Sequence, residues 1–222
     1  MNTAKIIAVT QPLIDIEGTD EPMSGNDFIA YCARVSNPSN QNNTLTSRKL
    51  LEYLIKNHHW SPFEMVSVAM EINTTRDIGR QILRHRSFSF QEFSQRYADP
   101  TQLGFVSREA RLQDNKNRQN SIEVDNKELE ERWEDIQREV RKTARTAYQW
   151  AIENGVAKEQ ARAVLPEGLT MSRLYMSGTL RSWLHYCQLR CANGTQKEHR
   201  EVAMAACAEL EKYFEMGFTN AI

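Results

Sequence analysis

Apolar residues recur along this chain with two periods, and the switches between them mark out its elements. Val66, Val68, Met70 and Ile72 alternate with Ser67, Ala69, Glu71 and Asn73, the two-residue period of a half-buried strand. Lys5 to Thr10 predicts a second strand, followed by a Gly/Asp/Pro-rich loop up to Ser24, and residues 169–177 predict a third. Helical spacing covers 25–35 through Phe28, Cys32 and Val35, and 46–58 through Leu50, Leu51, Leu54 and Ile55. Ser61-Pro62-Phe63-Glu64 predicts a helix start, with a capping Ser, Pro at the first position and Glu at the third. Residues 75–85 turn helical again, 87–97 are extended or irregular around Phe88 and Phe90, and the polar stretch 98–126 predicts a long loop.

From Lys127 to Asn154, the residues Leu129, Trp133, Ile136, Val140, Ala144, Tyr148 and Ile152 form the apolar stripe of one long helix, closed by Gly155. A short helix over 158–164 stopped by Pro166, a helix over 179–192 and a last helix over 197–216 follow. There is no βαβ rhythm, repeat or linker. The expectation is a helix-rich α+β fold with a small mixed or antiparallel sheet, in a single domain over residues 1–222.

Composition excludes several classes. With 40% hydrophobic and 26% charged residues, the chain is ordinary for a globular protein rather than a disordered one. A net charge of −1 argues against a broadly basic nucleic-acid binder. The apolar runs are far too short to span a membrane, and the first residues resemble no secretory signal, so a cytoplasmic protein is expected. Cys32, Cys187, Cys191 and Cys207 then read as reduced thiols. Cys187 and Cys191 lie one helical turn apart, but no CxxC or second ligand pair accompanies them, and they read as core thiols rather than a metal site.

Charge placement carries more than its balance. The 28 cations are 19 Arg and 9 Lys, and five arginines (Arg76, Arg80, Arg84, Arg86, Arg96) fall between positions 76 and 96. Guanidinium forks suit phosphate and carboxylate, while Ser87, Ser89 and Ser94 add neutral donors. Arg84 and Arg86 are placed to point one way, with His85 opposite. Such a cluster repels itself unless solvent or an anion neutralises it, and the apolar Ile82, Leu83, Phe88, Phe90 and Phe93 argue against a merely solvated face. Anion recognition and structural charge both remain open on these grounds. With no GxGxxG and no GxxxxGK[ST], a phosphate here must be held by side chains.

Arg84-His85-Arg86, seven residues and then Ser94 resembles the RHR-x7-S signature of the flavin-dependent thymidylate synthases. Further blocks similar to that family follow in family order. They are Ala33-Arg-Val-Ser36, His59-Trp-Ser61-Pro-Phe-Glu64, Gln81-x-x-Arg84, Glu92-x-Ser94-x-Arg96-Tyr97, Ala161-Arg162-x-x-Leu-Pro166 and Leu189-Arg190. The resemblance spans essentially the whole chain. It implies transfer of a one-carbon unit from 5,10-methylenetetrahydrofolate to dUMP, with NADPH reducing a bound FAD, no metal, and a homotetramer whose active sites lie at subunit interfaces. Its expected partners are dUMP and further copies of itself, with neither nucleic acid nor membrane.

By the same resemblance, Arg84, His85, Arg86 and Glu92 would contact FAD, with Ser61, Glu64 and His59 nearby and Thr179, Arg181 and His185 on the helix that follows. Glu92, Phe93, Ser94, Gln95 and Arg96 resemble the nucleotide loop, with Gln81 and Arg84 from the adjoining helix and Arg162 from a neighbouring subunit. Arg190 resembles the family's activating arginine, a permanent cation beside the pyrimidine ring. The chain departs from common members at Met65, often His, at Gln95, often Gly, and at His185, often Asn. His58 and His199 read as solvent-facing. A hydroxymethylase on the same scaffold and a non-catalytic nucleotide- or RNA-binding module are the competing readings.

Overall fold

The clearest alternation in the sequence becomes the central strand of a sheet. The computed structural model describes residues 2–16 and 21–217. In chain order its elements are β1 (Thr3–Val9), α1 (Gly25–Ala33), α2 (Ser47–Lys56), β2 (Ser67–Thr75), α3 (Arg76–Ile82), β3 (Ser89–Glu92), β4 (Arg111–Gln113), β5 (Ser121–Glu123), α4 (Lys127–Glu153), α5 (Lys158–Ala161), β6 (Met171–Thr179), α6 (Leu180–Arg190) and α7 (Lys197–Phe214). Short 3-10 turns lie at Pro38–Asn40, Ser61–Glu64, Pro100–Gln102 and Arg162–Val164.

The main sheet runs β1-β2-β6-β3 with every pair antiparallel, so the fold is α+β with no parallel strand in that sheet. Val68, Met70 and Ile72 of β2 and Leu174 and Met176 of β6 all point into one core, as the two-residue period requires. That core continues into Ile29, Leu51, Ile78, Trp183, Leu184, Val202, Ala206 and Leu210 of the surrounding helices. The Trp183 indole N–H donates to the Val68 carbonyl at 3.0 Å, tying α6 to the sheet through a buried polar contact.

Local chemistry explains where elements stop. His58 takes a left-handed φ of 58° beyond α2, and the His59 N–H reaches back to the Leu54 carbonyl at 2.8 Å. This is the helix ending usually given to glycine, and it turns the chain towards Trp60. Ser61 does not cap a helix as expected. It is the first residue of a 3-10 turn without a side-chain cap, which frees the Glu64 carboxylate for Arg181. α3 ends at Ile82, earlier than the periodicity suggests, because Phe88 must enter the core against Trp183 and β3 must pair with β6.

The expected loop 98–126 contains a small hairpin. β4 and β5 pair antiparallel, and Asp114 closes the turn by accepting from the N–H groups of Lys116 and Asn117. Three-residue strands are too short to show a period. α4 buries Ala144, Tyr148 and Ala151 but leaves Leu129, Trp133, Ile136 and Val140 exposed, so the predicted stripe is only partly covered within the chain. Cys187 is a buried core thiol as expected, Cys191 is only half-buried, and Cys207 is buried as well. His199 reverses its expectation: it is 0% exposed. No helix among the described residues is long and apolar enough to cross a membrane.

Gly178 sits where β6 passes beneath Phe88. A Cβ there would lie 2.5 Å from the Phe88 ring. Gly178→Ala is therefore expected to cost about 1–3 kcal/mol by overpacking, measured as a fall in the urea midpoint of the full chain. An unchanged midpoint would refute that contact.

Candidate functional site

α6 is the spine on which the chemistry-bearing residues collect. At its start Thr179 closes β6 and caps the helix, its hydroxyl accepting from the Ser182 N–H at 3.3 Å. The Ser182 hydroxyl donates to the Ser87 carbonyl at 3.4 Å, which brings the Arg84–Ser87 turn against this end. Arg181 pairs with Glu64, and the His185 ring stands edge-on to Trp60 with centroids 4.9 Å apart. His185 is exposed rather than packed in the core, and its pKa is lowered by burial of part of the ring and then by the Arg181 charge. Ser61 and His59 lie exposed on the turn beside Trp60, and the His59 ring contacts Tyr53 at 6.1 Å. Ser61, Glu64, Thr179, Arg181 and His185 thus gather at the start of α6.

At the other end of α6, Arg190 Nε donates to His85 Nε2 at 2.9 Å. A guanidinium cannot accept, so this imidazole offers a lone pair at Nε2 and carries its proton on Nδ1. Burial, and then the Arg190 charge, lowers the His85 pKa to about 4. A neutral acceptor therefore holds a permanent cation, whose terminal nitrogens have no hydrogen-bond partner among the described residues. Arg84 and Arg86 are exposed on either side of the inward-turned His85. Neither has a hydrogen-bonded or charged side-chain partner among the described residues.

The third group follows β3. Both Glu92 carboxylate oxygens are engaged: one with Arg80, the other with the Ser172 hydroxyl at 3.0 Å and Arg76 at 3.7 Å. Phe93 is fixed by its backbone N–H to the Arg173 carbonyl, and Ser94 opens a turn whose carbonyl accepts from Tyr97 and Ala98. Gln95 is 4% exposed, and its buried Nε2 has no hydrogen-bond partner among the described residues. Arg96 meets the Glu159 carboxylate at 3.5 Å, while Arg162 donates to the backbone carbonyl of Glu159, three residues before it, at 3.3 Å. Gln81, half-buried on α3, turns towards α7 instead and donates to Gln196 at 2.7 Å.

α7 supplies what the sequence reading missed. His199 Nε2 lies 3.1 Å from the Tyr186 hydroxyl and its Nδ1 3.3 Å from Gln81 Oε1. Glu198, 8% exposed, pairs with Arg108 and Arg111. The string Gln196-Lys-Glu-His-Arg200 looks like a solvated helix face. The signal that places His199 inward is its spacing of three and four residues from the apolar Val202 and Ala203.

Residues 20–214 match the family model described as Thymidylate synthase complementing protein. The chain belongs to this family. A flavin-dependent thymidylate synthase of a Synechocystis strain is 49% identical over 210 residues, 95% of this chain and 94% of that one. A probable flavin-dependent thymidylate synthase of Paramecium bursaria Chlorella virus 1 is 46% identical, covering 94% of this chain and 93% of the relative. The fold is also that of a UMP/dUMP methylase, PolB from Streptomyces cacaoi, solved with 5-Br dUMP, at TM-score 0.78 and 23% identity over 100% of this chain and 94% of that one. The Thymidylate synthase complementing protein match takes in all three groups of residues around α6.

The His85 geometry is open to titration. Native His85 stays neutral down to about pH 4, whereas an unfolded imidazole takes up its proton near pH 6.5. Its contribution to stability therefore falls as pH drops from 6.5 towards 4 and levels off below. NMR titration should find the wild-type midpoint near 4 and a higher one in Arg190→Leu. A wild-type midpoint near 6.5 would contradict the contact.

Proposed function

We propose that this chain is a flavin-dependent thymidylate synthase. It methylates dUMP to dTMP with the carbon of 5,10-methylenetetrahydrofolate, uses NADPH as reductant, and works in the cytoplasm. The observation that carries the reading is a set of arginines with no carboxylate partner among the described residues. Arg84 and Arg86 flank a neutral His85 that holds Arg190, in a chain 49% identical to a flavin-dependent thymidylate synthase.

The donor set fits FAD. Two guanidinium forks without a partner among the described residues suit its pyrophosphate, and an aromatic and cationic ledge at Trp60, Arg181 and His185 suits its ring system. When bound and reduced, FAD supplies the hydride that completes the methyl group. Arg84, His85 and Arg86 would hold the cofactor from one side, and Ser61, Glu64, Thr179, Arg181 and His185 from the other. Arg96 would grip the nucleotide phosphate together with Ser94 and Arg162, with the Glu159 carboxylate holding Arg96 until the phosphate arrives. Glu92 acts by holding Arg76 and Arg80 in place. Arg190, aimed by His85, would meet the uracil ring and stabilise negative charge as it develops there.

Assembly as a homotetramer belongs to the same proposal. The exposed Leu129, Trp133, Ile136 and Val140 of α4 support it, since four large apolar residues on one helix face lack a cover among the described residues.

Purified protein loaded with FAD should bleach under anaerobic NADPH and dUMP and yield dTMP once methylenetetrahydrofolate is added. Arg190→Ala should keep its flavin and lose turnover by about 10²–10³. Protein that cannot be loaded with FAD would sink the reading, and full turnover in Arg190→Ala would overturn the role of that residue. Bleaching without dTMP would favour a hydroxymethylase on the same scaffold.

A further inference from the structure

Five polar side chains run in single file from the start of α7 to the middle of α6, and valence alone orients every one of them. Glu198 is the fixed end. Burial would raise its pKa, but its own backbone N–H, Arg108, Arg111 and Gln196 outweigh that and lower it to about 2. It is therefore a carboxylate and can only accept. Gln196 must then turn its amide nitrogen to Glu198, at 2.9 Å, and its carbonyl to Gln81. Gln81 in turn must donate from Nε2 to that carbonyl, at 2.7 Å, and present its own Oε1 to His199 Nδ1 at 3.3 Å. An amide oxygen facing Nδ1 requires the imidazole proton to be there. His199 Nε2 is left bare and accepts from the Tyr186 hydroxyl at 3.1 Å.

The chain leaves one donor over. Gln81 Nε2 has two hydrogens, and Gln196 takes one. The second has no acceptor among the described residues. Gln81 is only half-buried and lies three residues before the exposed Arg84.

We propose that His199 is a positioning residue which, by donating from Nδ1, locks the Gln81 amide so that an N–H, and not its carbonyl, faces the acceptor oxygens of the bound nucleotide. The proposal rests on the reading of Gln81 as a nucleotide contact. The imidazole stays neutral throughout: burial, then the Arg190 charge and, once it is itself protonated, His85 lower its pKa to about 3, so the tautomer does not change in the working range. Replacing the ring with an apolar side chain leaves Gln81 Oε1 without its donor, and the amide swings away to find water.

The test begins with the tautomer. In the FAD-loaded, 15N-labelled full chain, long-range 1H–15N spectra should show His199 with a protonated Nδ1 and a bare Nε2, unchanged between about pH 5 and 8; His199→Asn assigns the signals. A protonated Nε2 would overturn the orientation. Binding and steady-state kinetics with dUMP test the role. His199→Leu should raise KM and Kd for dUMP about ten-fold, with kcat within about two-fold. His199→Asn, whose amide N–H can stand in for Nδ1–H, should recover most of that loss, an outcome that a simple packing defect would not produce. Equal losses in both variants, or none in His199→Leu, would overturn the positioning role. If wild-type protein shows the expected tautomer but no affinity for dUMP, the thymidylate synthase reading fails and the nucleotide part of this proposal with it, while the orientation of the chain stands.

Discussion

A carboxylate that is 8% exposed and still ionised has to be satisfied from every side, and at Glu198 that requirement reaches into most of the surrounding elements. Arg108 meets it at 3.0 Å while also holding Asp77 at 2.8 Å and the Gly168 carbonyl at 3.1 Å. The Arg108 backbone N–H donates to Gln137 of α4 at 2.7 Å. One charge thus joins α7 to the start of α3, to the turn before β6 and to the long helix. Such a cluster adds little net stability, because desolvation offsets attraction, but losing one member would strand the others at a cost of about 3–5 kcal/mol. Its larger effect is directional, since an obligate acceptor at one end dictates every donor up to Tyr186.

The same accounting of partners separates the arginines. Glu92 and Glu167 together balance Arg76 and Arg80, Glu64 pairs with Arg181, and Glu159 meets Arg96. Arg84 and Arg86 are left with no counter-ion among the described residues, and Arg190 rests on an imidazole that carries no charge. A fold of near-zero net charge has therefore concentrated uncompensated positive charge beside one helix. In the proposed function the anions that complete it are the phosphates of FAD and the nucleotide.

Much of this was legible in the sequence, for reasons that differ by element. The β2 alternation is unambiguous because that strand is buried on one face only. The opposed directions of Arg84, His85 and Arg86 also came through, although the backbone there is a turn rather than a strand. Contacts made across long separations did not. Nothing local to Arg108 announces that it will meet residues 31 and 90 positions away. His199 goes inward against its local pattern, since charged residues surround it in sequence and the apolar spacing begins only with Val202. The capping pattern at Ser61 was real as a pattern, but tertiary demand for Glu64 by Arg181 overrode it.

A crystal structure of the full chain with FAD and dUMP bound together should show Arg84 and Arg86 on the flavin cofactor, Arg96 on the nucleotide phosphate, and Arg190 against the uracil ring with its Nε still on His85. Either ligand bound away from α6, or Arg84 and Arg86 left in solvent beside a filled site, would contradict this arrangement.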